Sequence, residues 1–319
     1  MRLLIVKTSS MGDVVHAQPV VADLHLAVPG IEIDWLVEAP FAAIPQLNPG
    51  VRRVWPMRWR AWRKQLWKRS TWTAMQALRD QLKGEKYDLV LDLQGLVKSA
   101  IWSRQAGAPV AGFDAGSARE TWAASAYTFR ARVSRELQAV DRCRRVAAQT
   151  VGYSLPPTSP RFGLVAPPAQ RLAGWQPRGD YAVLIPNASR REKFWPERSW
   201  VAVGRRLAER GFTPLVLWGR PDEQTLAEHI AAGCEGQVPP FLSVADMASV
   251  LAGAHQIVGL DTGFTHLAAA FGRPTLGIYC DHEPGLAGIT GPGPVASLGG
   301  KGQVPAVRDV LALVDQHMG

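Results

Sequence analysis

The 319-residue sequence predicts an α/β protein built from two parallel-sheet domains. Three observations predict it. Short apolar runs bounded by turn residues alternate with stretches of helical spacing, the pattern of βαβ units. The alternation stops at a proline-rich stretch in mid-chain and then restarts. The chain is also long for one core, and with 47% hydrophobic and 20% charged residues it can bury apolar surface amply.

Leu3, Leu4, Ile5 and Val6 form an apolar run suited to a strand buried on both faces. Residues 7–12 (Lys7, Thr8, Ser9, Ser10, Met11, Gly12) make a tight turn, and helical spacing resumes through Val14, Val15, Val20, Val21 and Leu24. Asp13 therefore stands at a helix start just beyond the carboxyl end of a strand, where open parallel sheets bind ligands. Its carboxylate has two readings. It is either a helix cap favoured by the helix dipole, the commoner role, or a general base facing the cleft.

Residues 31–37 read as a second strand, 41–47 as a short helix, and 51–55 as a third strand after the turn at Asn48, Pro49 and Gly50. Residues 52–72 follow, with eight of the 36 basic residues, five of the 12 tryptophans and no acid. After Pro56 this segment can be helical, with Trp59, Trp62 and Leu66 on one face and Arg60, Lys64 and Lys68 on another, Arg63 near the basic one. A solvated helix face is the plain reading, but tryptophan suits it poorly. Stacking on nucleic acid and docking on an anionic membrane interface use the same residue types. No nucleic-acid motif accompanies the patch, so a membrane or glycolipid surface is preferred and no nucleic-acid partner is expected.

Residues 87–93 predict a central strand, and the turn after it carries Lys98, which either reaches the same cleft as Asp13 or is an exposed lysine at a helix start. Arg119 and Glu120 open a later segment, residues 136–151 predict a basic helix, and residues 152–168, with five prolines, cannot hold regular structure. The expected domains are thus 1–165 and 166–319.

The second half repeats the architecture: strands at 182–185, 213–218 and 257–260, and helices at 197–210, 223–232 and 245–252. Three loops at strand ends stand out. Residues 187–196 are polar and cationic and include Ala188, Ser189 and Lys193. Residues 218–223 bring Glu223 to a helix start. Asp261, Thr262, Gly263, Phe264, Thr265 and His266 lead from a strand into an apolar helix, where free backbone N–H groups suit a phosphate. His266 alone reads as a buried histidine; beside Thr262, Gly263 and Lys193 it reads as facing the same anion.

Other classes are set aside on composition. The phosphate loop GxxxxGK[ST] and the dinucleotide pattern GxGxxG are both absent. Cys143, Cys234 and Cys280 are dispersed and odd in number, which argues against a disulfide framework or a structural zinc site. No apolar run is long enough to span a bilayer, so a cytoplasmic location is expected, and the net charge of +9 invites an anionic partner.

The segments IVKTSSMGD, DLQGLVKSA, KxWP, WGxPxE and DTGxxH, in that order over both halves, closely resemble the bacterial ADP-heptose:lipopolysaccharide heptosyltransferases of type I. The resemblance implies a GT-B fold, with two Rossmann-like domains facing across a cleft and the last helix, near residues 304–317, packing back toward the first domain. It implies transfer of heptose, with inversion and no required metal or cofactor, from ADP-L-glycero-β-D-manno-heptose to the Kdo residue of Kdo-lipid A, at the cytoplasmic face of the inner membrane. By motif match, Asp13 becomes the catalytic base. Ala188, Ser189 and Lys193 would lie at the donor diphosphate, Glu223 at the ribose, Leu242 beside adenine, and Asp261, Thr262, Gly263 and His266 around heptose and diphosphate. Arg60, Arg63, Lys64, Lys98 and Arg119 would hold the acceptor. Two segments depart from the family pattern: residues 279–284 read Tyr-Cys-Asp-His-Glu-Pro, and Ala188-Ser189 carries one hydroxyl where two are common. The type II enzymes, with a heptose acceptor, and a non-catalytic membrane-surface binding protein are the alternatives.

Overall fold

A computed structural model describes residues 1–167, 172, 174–188 and 190–316. The chain forms two compact units, Met1–Leu164 and Val165–Gly319, which part within the proline-rich stretch. Pro168, Ser189 and His317 lie outside the described residues.

The first unit holds strands β1 (Arg2–Val6), β2 (Glu32–Glu38), β3 (Arg53–Met57), β4 (Leu89–Asp92), β5 (Val110–Phe113) and β6 (Phe129–Ala131). All pair in parallel, in the order β3-β2-β1-β4-β5-β6. Leu3, Leu4, Ile5 and Val6 are fully buried, as expected of a central strand covered on both faces. Helices α1 (Met11–His16), α2 (Pro19–Ala27), α3 (Ala43–Gln46), α4 (Trp59–Trp62), α5 (Arg69–Gly84), α6 (Val97–Gln105) and α7 (Ala139–Val151) connect the strands. A buried bidentate pair locks two of them together: Arg144 of α7 donates to both carboxylate oxygens of Asp23 on α2, at 2.7 and 3.1 Å. Because the strand order reverses between β1 and β4, their connections leave in opposite directions and a crevice opens at their carboxyl ends.

The second unit holds β7 (Tyr181–Ile185), β8 (Thr213–Val216), β9 (Gln256–Leu260), β10 (Thr275–Tyr279) and β11 (Val295–Gly299), parallel in the order β11-β10-β9-β7-β8. Its switch point lies between β7 and β9. Its helices are α8 (Glu197–Glu209), α9 (Pro221–Gly233), α10 (Val244–Gly253), α11 (Gly263–Ala270), α12 (Pro284–Ala287) and α13 (Val307–Gln316). Helix α13 buries Val310 and Val314 in the core of the second unit beside Trp200 and Val203 of α8.

Several local expectations are corrected. The helix expected after Pro56 is not continuous: α4 ends at Trp62, and α5 begins only at Arg69. Trp59 and Trp62 therefore pack on the core, Trp62 against Trp102 of α6, while Leu66 turns outward with Trp67 and Trp72. Pro56, expected to end its strand, lies inside β3, which an edge strand tolerates because a missing N–H there breaks no inner ladder. The helix expected at residues 41–47 divides into a 3₁₀ turn, Ala39–Phe41, and the four residues of α3. β5 and β6, with four and three residues, and the last two strands, β10 and β11, give too little periodicity for their sequence to announce them.

Candidate active site

At the first switch point the carboxyl ends of β1 and β4 are tied by one side chain. The Gln94 Oε1 atom accepts from the backbone N–H groups of Thr8, at 2.9 Å, and Ser9, at 3.1 Å. Gln94 is itself set by Asp92, whose Oδ1 accepts from the N–H groups of Gln94 and Gly95, and by the left-handed turn at Gly95 (φ 67°). A Cβ on Gly95 would press on the Phe113 ring at 3.2 Å and on the Arg119 backbone at 3.3 Å, so this turn requires glycine on two counts.

Asp13 occupies the third position of α1, where its Oδ2 accepts from the backbone N–H of Ser10 at 2.8 Å and from the Ser10 hydroxyl at 3.1 Å. The cap reading is thus realised, but it engages one oxygen. The other lies 3.8 Å from the Lys7 ammonium, and the carboxylate retains 27% exposure. Partial burial opposes ionisation of Asp13; Lys7, the Ser10 N–H, His16 and Arg119 outweigh it and hold the carboxyl below its ordinary value. At an effective dielectric of ~20, a unit charge pair at this range is worth about 4 kcal/mol, larger than a typical exposed pair.

Lys98 reaches the same turn, donating from Nζ to the Ser9 hydroxyl at 3.0 Å. Burial, with Arg60 and Arg63 nearby, holds its ammonium below the usual lysine value against the pull of Glu38 and Glu120. Glu38 ends β2 and is 1% exposed; burial raises its carboxyl above the ordinary value although Lys98, Arg60 and Arg63 face it. Arg60 also lies over the Phe41 ring, 5.4 Å from its centroid. Lys64 stands exposed on the turn after α4. Among the described residues, none of Arg60, Arg63, Lys64, Lys98 and Arg119 has a carboxylate oxygen within 4 Å. Glu120 is occupied elsewhere, accepting from the Val97 N–H at the start of α6 at 2.7 Å.

The second switch point is more tightly bonded. Lys193, at the end of the 3₁₀ turn Arg191–Lys193 after β7, donates to the Asp261 carboxylate at 2.5 Å and to its carbonyl at 3.2 Å. His266 Nε2 lies 3.2 Å from the other Asp261 oxygen. Burial works against the Asp261 charge, but His266 and Lys193 overcome it and hold the carboxyl well below the carboxylate range. Thr262 precedes α11 without a side-chain cap, so the first-turn N–H groups have no intrahelical partner. Thr265 is turned back to the Leu260 carbonyl at 2.6 Å, which brings it over Gly259, where a Cβ would sit 2.4 Å from its hydroxyl. Glycine on β9 thus lets α11 start close to the sheet.

Sequence-level candidates are not all gathered here. Lys193, Asp261, Thr262, Gly263 and His266 share this crevice, and buried Ala188 follows β7. Glu223 lies beyond the edge strand β8, where its carboxylate accepts from the N–H groups of Gly219 and Arg220 and from the Arg220 guanidinium. Leu242 precedes α10 and is 3% exposed, beside an exposed Phe241 that meets Trp218 edge-on. In the first unit, Lys7, Glu38 and Gln94 were not singled out from sequence. Each is a polar residue at or just past the carboxyl end of a strand, the same signal that marks Asp13.

Comparison with known proteins decides the family. Residues 75–307 match the model of glycosyltransferase family 9 (heptosyltransferase), most of the chain's length. The chain belongs to glycosyltransferase family 9. Lipopolysaccharide heptosyltransferase 1 of Pseudomonas aeruginosa is 43% identical over 293 residues, covering 91% of this chain and 82% of that protein. The structure of the Escherichia coli heptosyltransferase WaaC with ADP superposes with a TM-score of 0.89 at 37% identity, covering 99% of this chain and all of that one. Its complex with ADP-2-deoxy-2-fluoro heptose gives 0.87 at 34% identity, with 99% of each chain covered. This family 9 member is therefore a glycosyltransferase with two Rossmann-like parallel-sheet domains, of the GT-B class. Among its described residues no helix is long and apolar enough to cross a membrane, and no group of three or more His, Cys, Asp or Glu side chains is placed to hold a metal.

Proposed function

We propose that this glycosyltransferase moves L-glycero-D-manno-heptose from ADP-heptose to the Kdo residue of Kdo-lipid A, in assembly of the lipopolysaccharide inner core. The first unit takes the acceptor and the second the donor. The Asp13 carboxylate removes the proton of the acceptor hydroxyl while its oxygen attacks the anomeric carbon of heptose. The bond from that carbon to the diphosphate breaks, inverting the configuration, and ADP departs with the electron pair. Lys193 and the first-turn N–H groups of α11 take up the charge on the diphosphate. Lys193 enters this step from its pair with Asp261, so donor phosphate competes for an ammonium already oriented.

The observation that carries the reading is the imbalance at the first switch point. Among the described residues, Arg60, Arg63, Lys98 and Arg119 form no ion pair and gather around the turn that carries Asp13, a partly exposed carboxylate with one oxygen outside its cap. An acceptor rich in phosphate and carboxylate neutralises such a set. Trp67, at 77% exposure, and Trp72, at 56%, lie in the same basic segment, which supports a peripheral position on the cytoplasmic face of the inner membrane, at headgroup depth. ADP release tests the proposal: ADP-heptose should yield ADP only when Kdo-lipid A is supplied. Release that requires an already heptosylated acceptor would assign the second heptose transfer instead, and no release with either would overturn the acceptor assignment.

A further inference from the structure

Among the described residues, Lys7 is the cation of the first crevice that lies deepest inside the protein, and its surroundings are unusual for a lysine. It directly follows β1, the central strand, at 6% exposure. Its backbone is fixed twice to β2, since its N–H donates to the Leu36 carbonyl at 3.3 Å and its carbonyl accepts from the Trp35 indole at 3.2 Å. The ammonium donates to the Leu93 carbonyl at 2.8 Å, directly after β4. These contacts hold it at the strand reversal, 3.8 Å from the Asp13 oxygen that the helix cap leaves unused. A buried lysine placed there costs desolvation and adds little to packing that an apolar residue would not. An explanation in terms of Asp13 accounts for it.

We propose that Lys7 is a positioning residue for Asp13, an interior ammonium tethered beside the carboxylate so that Asp13 meets the acceptor hydroxyl already ionised. The inference rests on the assignment of Asp13 as base. Lys7 does not touch substrate in this account; it acts through the carboxylate. Other charged groups face Asp13 as well. His16 lies on α1 itself, Arg119 on the segment after β5, and Arg142 and Cys143 on α7. Helix α3, which also packs on α1, has no ionisable side chain. Among these neighbours Lys7 exerts the strongest pull toward ionisation, and burial pushes the Cys143 thiol up, so that group stays neutral near pH 7.

The sign follows from the charges. Removing Lys7 leaves burial less opposed, the Asp13 carboxyl holds its proton to higher pH, and the base is lost at the acid end of the pH range. In the profile of kcat/KM against pH, Lys7→Met should move the acid limb upward by about 1 to 3 pH units, with the rate recovering as pH rises. Lys7→Arg, which keeps the cation, should leave the limb near its wild-type place. A folded Lys7→Met protein with an unmoved acid limb, or with an equal loss of rate at every pH, overturns the proposal and returns Lys7 to a structural role. A second measurement covers a Met variant that does not fold. In carboxyl-¹³C spectra of the wild-type protein, the signal missing from Asp13→Asn should titrate below the usual aspartate value, and a titration at or above that value overturns the proposal. If Asp13→Asn keeps full turnover, the base assignment fails, and comparison of the Asp13 titration in wild-type and Lys7→Met proteins decides separately whether Lys7 governs Asp13.

Discussion

Each unit sets an aspartate against a lysine at its switch point, and the two pairs are built for opposite ends. In the second unit Lys193 and Asp261 come from neighbouring strand ends, meet at 2.5 Å, and are both largely buried, with His266 on the remaining carboxylate oxygen. The Asp261 charge is consumed in fixing a cation and a histidine beside an uncapped helix start. In the first unit Lys7 and Asp13 come from one turn and stay 3.8 Å apart, and the carboxylate keeps 27% exposure with one oxygen outside the cap. The same topology thus yields one charge pair closed on itself, and another that leaves a carboxylate partly exposed. What separates them is how the donors are distributed: Ser10 places both of its donors on one oxygen of Asp13, whereas Lys193 and His266 take one oxygen of Asp261 each.

The largest expected effect would break the comparison at its first member. Asp13→Asn keeps size and the Ser10 cap but removes the proposed base, so turnover should fall by roughly 10² to 10⁴-fold while the donor Kd, measured by calorimetry with ADP-heptose, stays near wild type. Full turnover would make Asp13 a cap and nothing more.

A smaller and mixed loss is expected at the second pair. Lys193→Met removes the ammonium proposed to meet the diphosphate, so kcat should drop by about 10² to 10³-fold and the donor should also bind more weakly, because such a cation serves both ground and transition state. Unchanged donor affinity in this variant, with weakened donor binding in Asp13→Asn, would reverse the roles of the two units.

The mildest effect belongs to the exposed cations. Neutralising Arg60, Arg63 and Lys64 together should raise the acceptor KM by roughly ten-fold, since exposed pairs contribute only ~0.2 to 1 kcal/mol each. It should also flatten the dependence of that KM on salt, these charges being screened over ~8 Å at physiological ionic strength. Steady-state kinetics at low and high salt, with the donor Kd as control, make the test. Equal weakening of both substrates would show that the segment supports the fold, and no change would move acceptor recognition to Lys98 and Arg119.

Much of this architecture was legible in the residues alone. The run Leu3, Leu4, Ile5, Val6 announced a doubly buried strand, the turn after it placed Asp13 at a helix start, and the sequence from Asp261 to His266 announced a helix start beyond a strand end, because these signals are local. The doubling of the pattern announced two units for the same reason. Chain order alone could not supply what depends on partners far away. Gln94 became the tie between two turns only through Thr8 and Ser9, 85 residues and more earlier, and Lys7 met the Leu93 carbonyl 86 residues on. The basic tryptophan segment read as one amphipathic helix, yet α4 stops where Trp59 and Trp62 find the core, leaving Trp67 and Trp72 to the surface. Side-chain chemistry and helix or strand period are properties of neighbours in sequence. Which carboxylate keeps a free oxygen, which lysine is buried and which tryptophan is exposed are set by packing between strands and helices, and the tertiary structure alone decided them.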